Sequence, residues 1–268
     1  MRASRSYVSV RAPQRGWQRF ALALGFACAL ACVPARAAPL DAKIVGQEAL
    51  APKWVYLRGG VAGLCPDILA AIERVEPRLH FVGNRQSRSL PGIEFGLDDG
   101  SVEVACALIP SPRREAIAER VGPVVYEVRH RLAARANDPV EVRSVQELAR
   151  MGALVVGQRG GVFAGKLKAA GVQVDDATDD NGVNLRKVLA GHGRFVEMNE
   201  LTMQHYLNSG AIDGRLRLLP VVMGVEPAYF WVSRKADPAI ARLLGPALDK
   251  LKASGELDRI YARHAANP

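Results

Sequence analysis

VEVACALIPSPRREAIAERVGPVVY, residues 102–126, is the passage on which the fold turns. Its apolar opening, Val102 to Leu108, has the length and content of a buried strand. Cys106 to Ile109 closes that strand just before a polar, proline-rich turn, Pro110 to Arg114. Open sheets bind ligands beyond the carboxyl ends of their strands, so this turn is the first place to expect a site. From Val124 to Ala134 the chain continues as an extended apolar and basic run, suited to crossing between two bodies. Met223 to Ser233, with Pro227 and three aromatics, reads the same way.

Working outward, further short apolar or β-branched runs predict strands at Lys43 to Gly46, His80 to Val82, Ala153 to Gly157, Val172 to Val174, Arg194 to Met198 and Tyr229 to Val232. Helical patterns lie between most of them. One opens near Pro66 and Asp67 and sets Ile68, Ile72 and Val75 on one face. Another opens at Ser144, whose hydroxyl can cap an orphan amide while Glu147 reaches back to the Ser144 amide. A third runs from Asp237 and Pro238 through Ile240, Leu244, Leu248 and Leu251 to Gly255, followed by a short helix with Leu257, Ile260 and Tyr261. Strands alternating with helices imply α/β layers with mainly parallel sheets, because parallel neighbours need a crossover. There is no internal repeat and no low-complexity tether, so any division into lobes runs through ordered crossing segments.

The 268 residues are 49% hydrophobic and 24% charged, an ordinary globular composition. The formal charge of +9 weakens once it is located. Of 36 basic residues six are arginines within the first 37 positions, which hold no acid, leaving 30 basic against 27 acidic residues elsewhere. That balance removes most of the argument for a nucleic-acid partner. Residues 1–37 read as an export signal: a basic start, an apolar stretch from Phe20 to Val33, then Pro34 and the small residues Ala35 and Ala37, with cleavage expected after Ala37. Cys32 offers a lipoprotein alternative, but the Leu expected three positions before it is Ala29. After the signal two cysteines remain, Cys65 and Cys106. In an oxidising compartment an even pair suggests one disulfide, with two buried thiols as the competing reading. Neither supports a metal site, and no residue pattern calls for a cofactor.

The chain resembles the periplasmic solute-binding proteins of polar amino acid uptake. The resemblance rests on Gly63-Leu64-Cys65-Pro66-Asp67-Ile68, on Ser111-Pro112-Arg113-Arg114 followed by Gly122-Pro123-Val124-Val125-Tyr126, on Val145 to Leu148 leading to Val156 to Gly161, and on the tail from Asp237 to Leu257. It implies an α/β fold of the two-lobed periplasmic binding protein type 2 kind, the first lobe discontinuous and a ligand cleft between the lobes. The expected division is residues 38–128 and 224–268 for lobe 1 and 129–223 for lobe 2.

By the same resemblance Arg114 grips a ligand carboxylate with its planar fork, assisted by Ser111. An acid of the opposite lobe meets an ammonium group; Glu200 lies near the family's acidic position and Glu197 competes with it. At Gly161, where the family often has Ser or Thr, only backbone donors remain. Trp54 and Tyr56 follow the first strand, where the family commonly places rings against the ligand. A Cys65–Cys106 bridge is expected to stiffen one wall by joining the loop after the second strand to the end of a neighbouring strand. The function implied is capture of a small carboxylate-bearing, amino-acid-like solute by a monomer that serves a membrane ABC permease or a receptor sensor domain. Two alternatives stay open: a periplasmic lyase resembling cyclohexadienyl dehydratase, with Glu200 or His205 as its acid, and an interaction protein without a ligand. The other histidines, His80, His130, His192 and His264, are dispersed along the chain and suggest no catalytic triad.

Overall fold

The structure is a computed structural model that describes residues 38–266 apart from 211 and 213, together with residue 9. The expected export signal, with Cys28 and Cys32, lies outside the described residues except for Ser9. The chain runs β1 Leu40–Lys43, β2 Gly46–Gln47, β3 Val55–Leu57, β4 Gly60–Ala62, α1 Leu64–Val75, β5 Leu79–Val82, β6 Ser87–Arg88, α2 Leu90–Asp99, β7 Val104–Leu108, α3 Pro112–Ile117 and β8 Ala118–Arg135. It continues α4 Val145–Met151, β9 Val155–Val156, α5 Val162–Ala169, β10 Val174–Asp175, α6 Asn181–Leu189, β11 Phe195–Asn199, α7 Glu200–Asn208, β12 Leu216–Ser233, α8 Pro238–Ala253 and α9 Glu256–Ala266.

The two expected crossing segments lie within β8 and β12, strands of 18 residues each that pair with one another antiparallel. Gly224 stands opposite His130 and Ala228 opposite Tyr126. Every other strand of the main sheet joins this ribbon, in the order β10-β9-β11-β8-β12-β7. The sheet is therefore mixed where a mainly parallel one was expected. The β9, β10 and β11 pairings are parallel, but β11 on β8, β8 on β12 and β12 on β7 are antiparallel, because the ribbon strands run in opposite directions. The predicted strand from Lys43 to Gly46 is divided, since the chain changes partner: β1 pairs with β5, Ile44 bridges to Val104, and β2 pairs with β6.

Apolar packing among the described residues forms four clusters, the two largest of which follow the ribbon as a first and a second body. Val125, Val128, Ala228 and Phe230 belong to a core with Ile44, Leu64, Ile68, Leu244 and Leu248. Leu132, Ala134, Leu219 and Met223 belong to another with Val155, Phe163, Leu167 and Phe195. Packing partners thus change between Val128 and Leu132 on one strand and between Met223 and Ala228 on the other. Leu201 of α7 reaches across into the first core.

The helix starts obey local chemistry. Ser144 Oγ accepts from Glu147 N at 3.1 Å as expected, but Glu147 Oε2 accepts from Arg143 N at 2.8 Å, one residue earlier than anticipated. Asp237 caps α8 through Ala239 N, and Gly255, in the left-handed region, separates α8 from α9. No described helix is long and apolar enough to cross a membrane.

α1 begins two residues ahead of Pro66. Its first free amides, on Leu64 and Cys65, donate to the carbonyls of Pro52 and Lys53 at 3.0 and 3.1 Å, and Pro66 has no amide to satisfy. This close approach requires glycine at residue 63: its φ is +118°, and a Cβ there would stand 2.4 Å from Pro52 O. Cys65 and Cys106 are joined in a disulfide. Cys65 lies in the first turn of α1 and not in a loop, and Cys106 lies in the middle of β7, so the bridge ties helix to strand. Closing a loop between residues 41 apart restricts the unfolded chain by about 4 kcal/mol on the loop-entropy model.

Gly63→Ala is predicted to lower unfolding free energy by about 2–3 kcal/mol, the range for backbone strain at an intolerant position. Urea unfolding checks it; a change within about 0.5 kcal/mol would contradict the close-approach account.

Candidate functional site

Ser111 caps α3, its hydroxyl accepting from Arg114 N at 3.2 Å, and this turns the Arg114 side chain inward from the helix's first turn. Arg114 is 1% exposed. Its Nη1 donates to Ile109 O, and its Nε stands 3.0 Å from Glu94 Oε1, an ion pair without hydrogen-bond alignment. Glu94 also pairs with the half-exposed Arg113 at 3.3 Å. Burial works against the Arg114 charge and Glu94 supports it. No described residue accepts from Arg114 Nη2, so part of the fork is available.

Arg114 faces a partly solvent-open cavity into which both bodies contribute. The first body adds Gln47, Leu50, Lys53, Ala107 and Tyr126. Lys53 is 4% exposed, and its Nζ donates to Ala107 O at 2.7 Å. Ala107 is a non-glycine residue with φ of +52°, which turns that carbonyl out of the β7 ladder. Burial, with Arg114 nearby, brings the Lys53 ammonium down to about 7.

The opposite wall comes from the second body. Glu197 on β11 and His130 on β8 are diagonal neighbours on one sheet face, and His130 Nδ1 lies 2.7 Å from Glu197 Oε1. A carboxylate only accepts, so Nδ1 donates and Nε2 of the neutral ring is an acceptor. That Nε2 is buried and has no partner among the described residues, and the same holds for Asn181 Oδ1. Phe163 stacks on the His130 ring with centroids 4.1 Å apart and planes 9° apart. Gly224 makes room for it, since a Cβ there would sit 2.6 Å from Phe163 Cε2. Asn181 Nδ2 donates across the cleft to Ala49 O at 3.0 Å, so the two walls are in contact beside the cavity.

Of the residues singled out in the sequence, Arg114 and Gly161 line this cavity. Gly161 is the N-cap of α5 and supplies no side-chain cap, which leaves the first amides of that helix uncovered by a hydroxyl. Ser111 lies at an outer groove shared with Arg114 and Gly161. Trp54 and Tyr56, expected as rings against the ligand, do not line the cavity. Trp54 packs in the first core, and Tyr56 is exposed on the β3–β4 hairpin with its hydroxyl donating to Gln86 O at 3.0 Å. Glu200 is outside as well: it is the first residue of α7, where Arg129 holds it at 3.0 Å and Arg131 at close range. Glu197 takes the inward place because it is still on β11, three residues earlier. His205, on α7 beside Tyr206, also does not line the cavity.

Lys53, Glu94, His130 and Asn181 escaped the sequence reading. Lys53 carries a usable signal, being the single charge in the apolar stretch Leu50 to Leu57. His130 carries another, alternating with Val128 and Leu132 on the buried side of β8. Asn181 and Glu94 lie on helices that the sequence did not announce.

Comparison with solved structures places the chain in the two-lobed periplasmic binding protein fold. A histidine kinase sensor domain with similarity to periplasmic binding proteins superposes with a TM-score of 0.72 at 18% identity, over 84% of this chain and 96% of that one. An ancestral arginine-binding protein bound to glutamine gives 0.68 at 18%, over 83% and 96%. The substrate-binding protein of an amino acid ABC transporter gives 0.67 at 16%, over 84% and 98%. By sequence, no family model and no curated protein matches.

Glu197→Ala leaves the buried His130 N–H without its acceptor and is predicted to cost about 1–3 kcal/mol, while Glu197→Gln, which keeps an acceptor oxygen, costs less than half as much. Chemical unfolding of the two variants checks this. Equal losses would contradict the hydrogen-bonded pair.

Proposed function

We propose that this protein captures a small, carboxylate-bearing, amino-acid-like solute between its lobes. In this reading residues 1–37 are a signal peptide, the mature protein is a periplasmic monomer, and lobe 1 (38–128 and 224–268) meets lobe 2 (129–223) across the ribbon. The observation that carries the reading is the opposition of charges across one cavity: a buried guanidinium with an unused edge on one wall, a buried carboxylate on the other. Arg114 takes the solute's carboxylate, with the α5 amides after Gly161 adding dipolar support. Glu197 takes its ammonium group. Ser111 acts on Arg114 through the helix cap.

Such a site drives closure only if the solute binds the closed form more tightly than the open one. The arrangement provides that difference, since Arg114 and Glu197 sit on separate lobes and only the closed form brings both to one solute. The closed form is then what a membrane partner reads, either an ABC permease or a receptor sensor region. Neighbours of both kinds support this range of partners, one the substrate-binding protein of an amino acid ABC transporter and one a histidine kinase sensor domain.

Thermal unfolding against a library of amino acids, small carboxylates and amines tests the proposal. A solute at 100 times its Kd adds about 2.7 kcal/mol to stability. At least one carboxylate-bearing solute is expected to raise the midpoint of the wild type and not that of Arg114→Ala. Equal shifts in both proteins, or no shift with any carboxylate, would overturn it.

A further inference from the structure

Resting on that reading, we infer that Lys53 is a second anion-binding group of the cleft and that the solute is an amino acid with an acidic side chain, of the aspartate or glutamate class. The charged groups inside the cavity are unequally partnered. Arg114 has the Glu94 carboxylate at 3.0 Å, and Glu197 accepts a hydrogen bond from His130 Nδ1 at 2.7 Å. Lys53 also lines the cavity, but no carboxylate is within ion-pair distance among the described residues, and Ala107 O is its one described acceptor. A zwitterion with an uncharged side chain would bring one carboxylate for Arg114 and one ammonium for Glu197. Below the pH at which it loses its proton, Lys53 would then be sealed in the closed cleft as a charge without a counter-charge, a costly arrangement. An amino dicarboxylate matches all three.

The surroundings hold the ammonium in place. The Lys53 carbonyl accepts from Cys65 N at the start of α1, the disulfide ties that turn to β7, and the β7 residue next to Cys106 turns its carbonyl to Lys53 Nζ. Backbone is thus fixed on both sides of an amine whose remaining N–H bonds have no described acceptor. Gly63, whose missing Cβ lets the Pro52–Lys53 segment lie against α1, serves the same placement.

A pH dependence follows. In the ligand-free protein the Lys53 ammonium loses its proton near 7, and an arriving carboxylate favours the charged form, so binding takes up a proton above that pH. The other titratable or charged groups facing this space are Arg114, Tyr126, His130 and Glu197. Tyr126 is pushed up by burial and stays neutral. The rest meet an acid and its amide alike, so their effects cancel when glutamate is compared with glutamine or aspartate with asparagine.

Calorimetric titration of protein expressed from the full-length sequence, with these two acid–amide pairs, tests the inference. The wild type is expected to prefer one acid over its amide by at least about tenfold at pH 6.5, and the preference should shrink by up to about tenfold per pH unit above 7. Lys53→Gln, which keeps an N–H for Ala107 O, and Lys53→Met are expected to abolish the preference while still binding the amide. An amide bound as tightly as its acid, or a preference that survives in Lys53→Gln or is flat from pH 6.5 to 9, overturns the role of Lys53 and leaves the Arg114 reading standing. If neither acid nor amide binds, the inference falls; binding of some other carboxylate solute, lost in Arg114→Ala, would show the parent reading unharmed. Should both variants fail to fold, the wild-type preference and its pH profile decide alone.

Discussion

The antiparallel pairing of β8 with β12 is the constraint on which the other features depend. Each strand is 18 residues long, and each contributes to both apolar cores. The ladder links the two cores, and its register shifts near Val222 and Ala228 are places where the ribbon departs from ideal pairing. Residues on the ribbon also form the cavity. Tyr126 and Val128 face it from the first core, and His130 faces it two residues further, where packing has passed to the second. The crossing ribbon and the floor of the site are one piece of backbone.

Around that floor the charges are arranged so that each lobe is incomplete alone. On the proposed division, Lys53 and Arg114 belong to the first lobe, His130 and Glu197 to the second. Both cations are held by carbonyls at strand ends or in distorted backbone, Ile109 O for Arg114 and Ala107 O for Lys53. Those carbonyls lie in or just after β7, the strand that the disulfide joins to α1. The anionic wall is built on a strand pair and an aromatic stack, in which Phe163 orients the imidazole and Gly224 accommodates Phe163. On the proposed reading, a solute carrying both signs of charge supplies the missing contacts on each side.

Much of this was legible in the sequence, for identifiable reasons. The runs at Val102 to Leu108 and Arg194 to Met198 announce buried strands, Ser144 and Asp237 announce helix starts, and the two crossing segments announce themselves by their extended, apolar character. Arg114 could be placed because a proline-rich turn directly follows a strand. What escaped depends on contacts distant in the chain. Glu94 sits on a helix whose Pro91, Gly92 and Gly96 hide the helical pattern, and only folding brings it to Arg114. Glu197 and Glu200 could not be told apart because the end of a short strand decides which one points inward. The mixed sheet was missed since the direction of a crossing strand is a property of topology and not of local composition. Lys53 was missed because a lone charge in an apolar stretch is ordinarily a surface residue, whereas here the α1 start and β7 enclose it.

The most direct test is the distance between the lobes, measured by pulsed electron spin resonance between labels on Cys substituted for exposed Phe95 of α2 and Lys168 of α5. With a solute that raises the unfolding midpoint, a shift from a longer or broader distribution to a single shorter distance is expected, and no shift in the Arg114→Ala background. One unchanged distance with and without such a solute would contradict closure of the two charged walls around it.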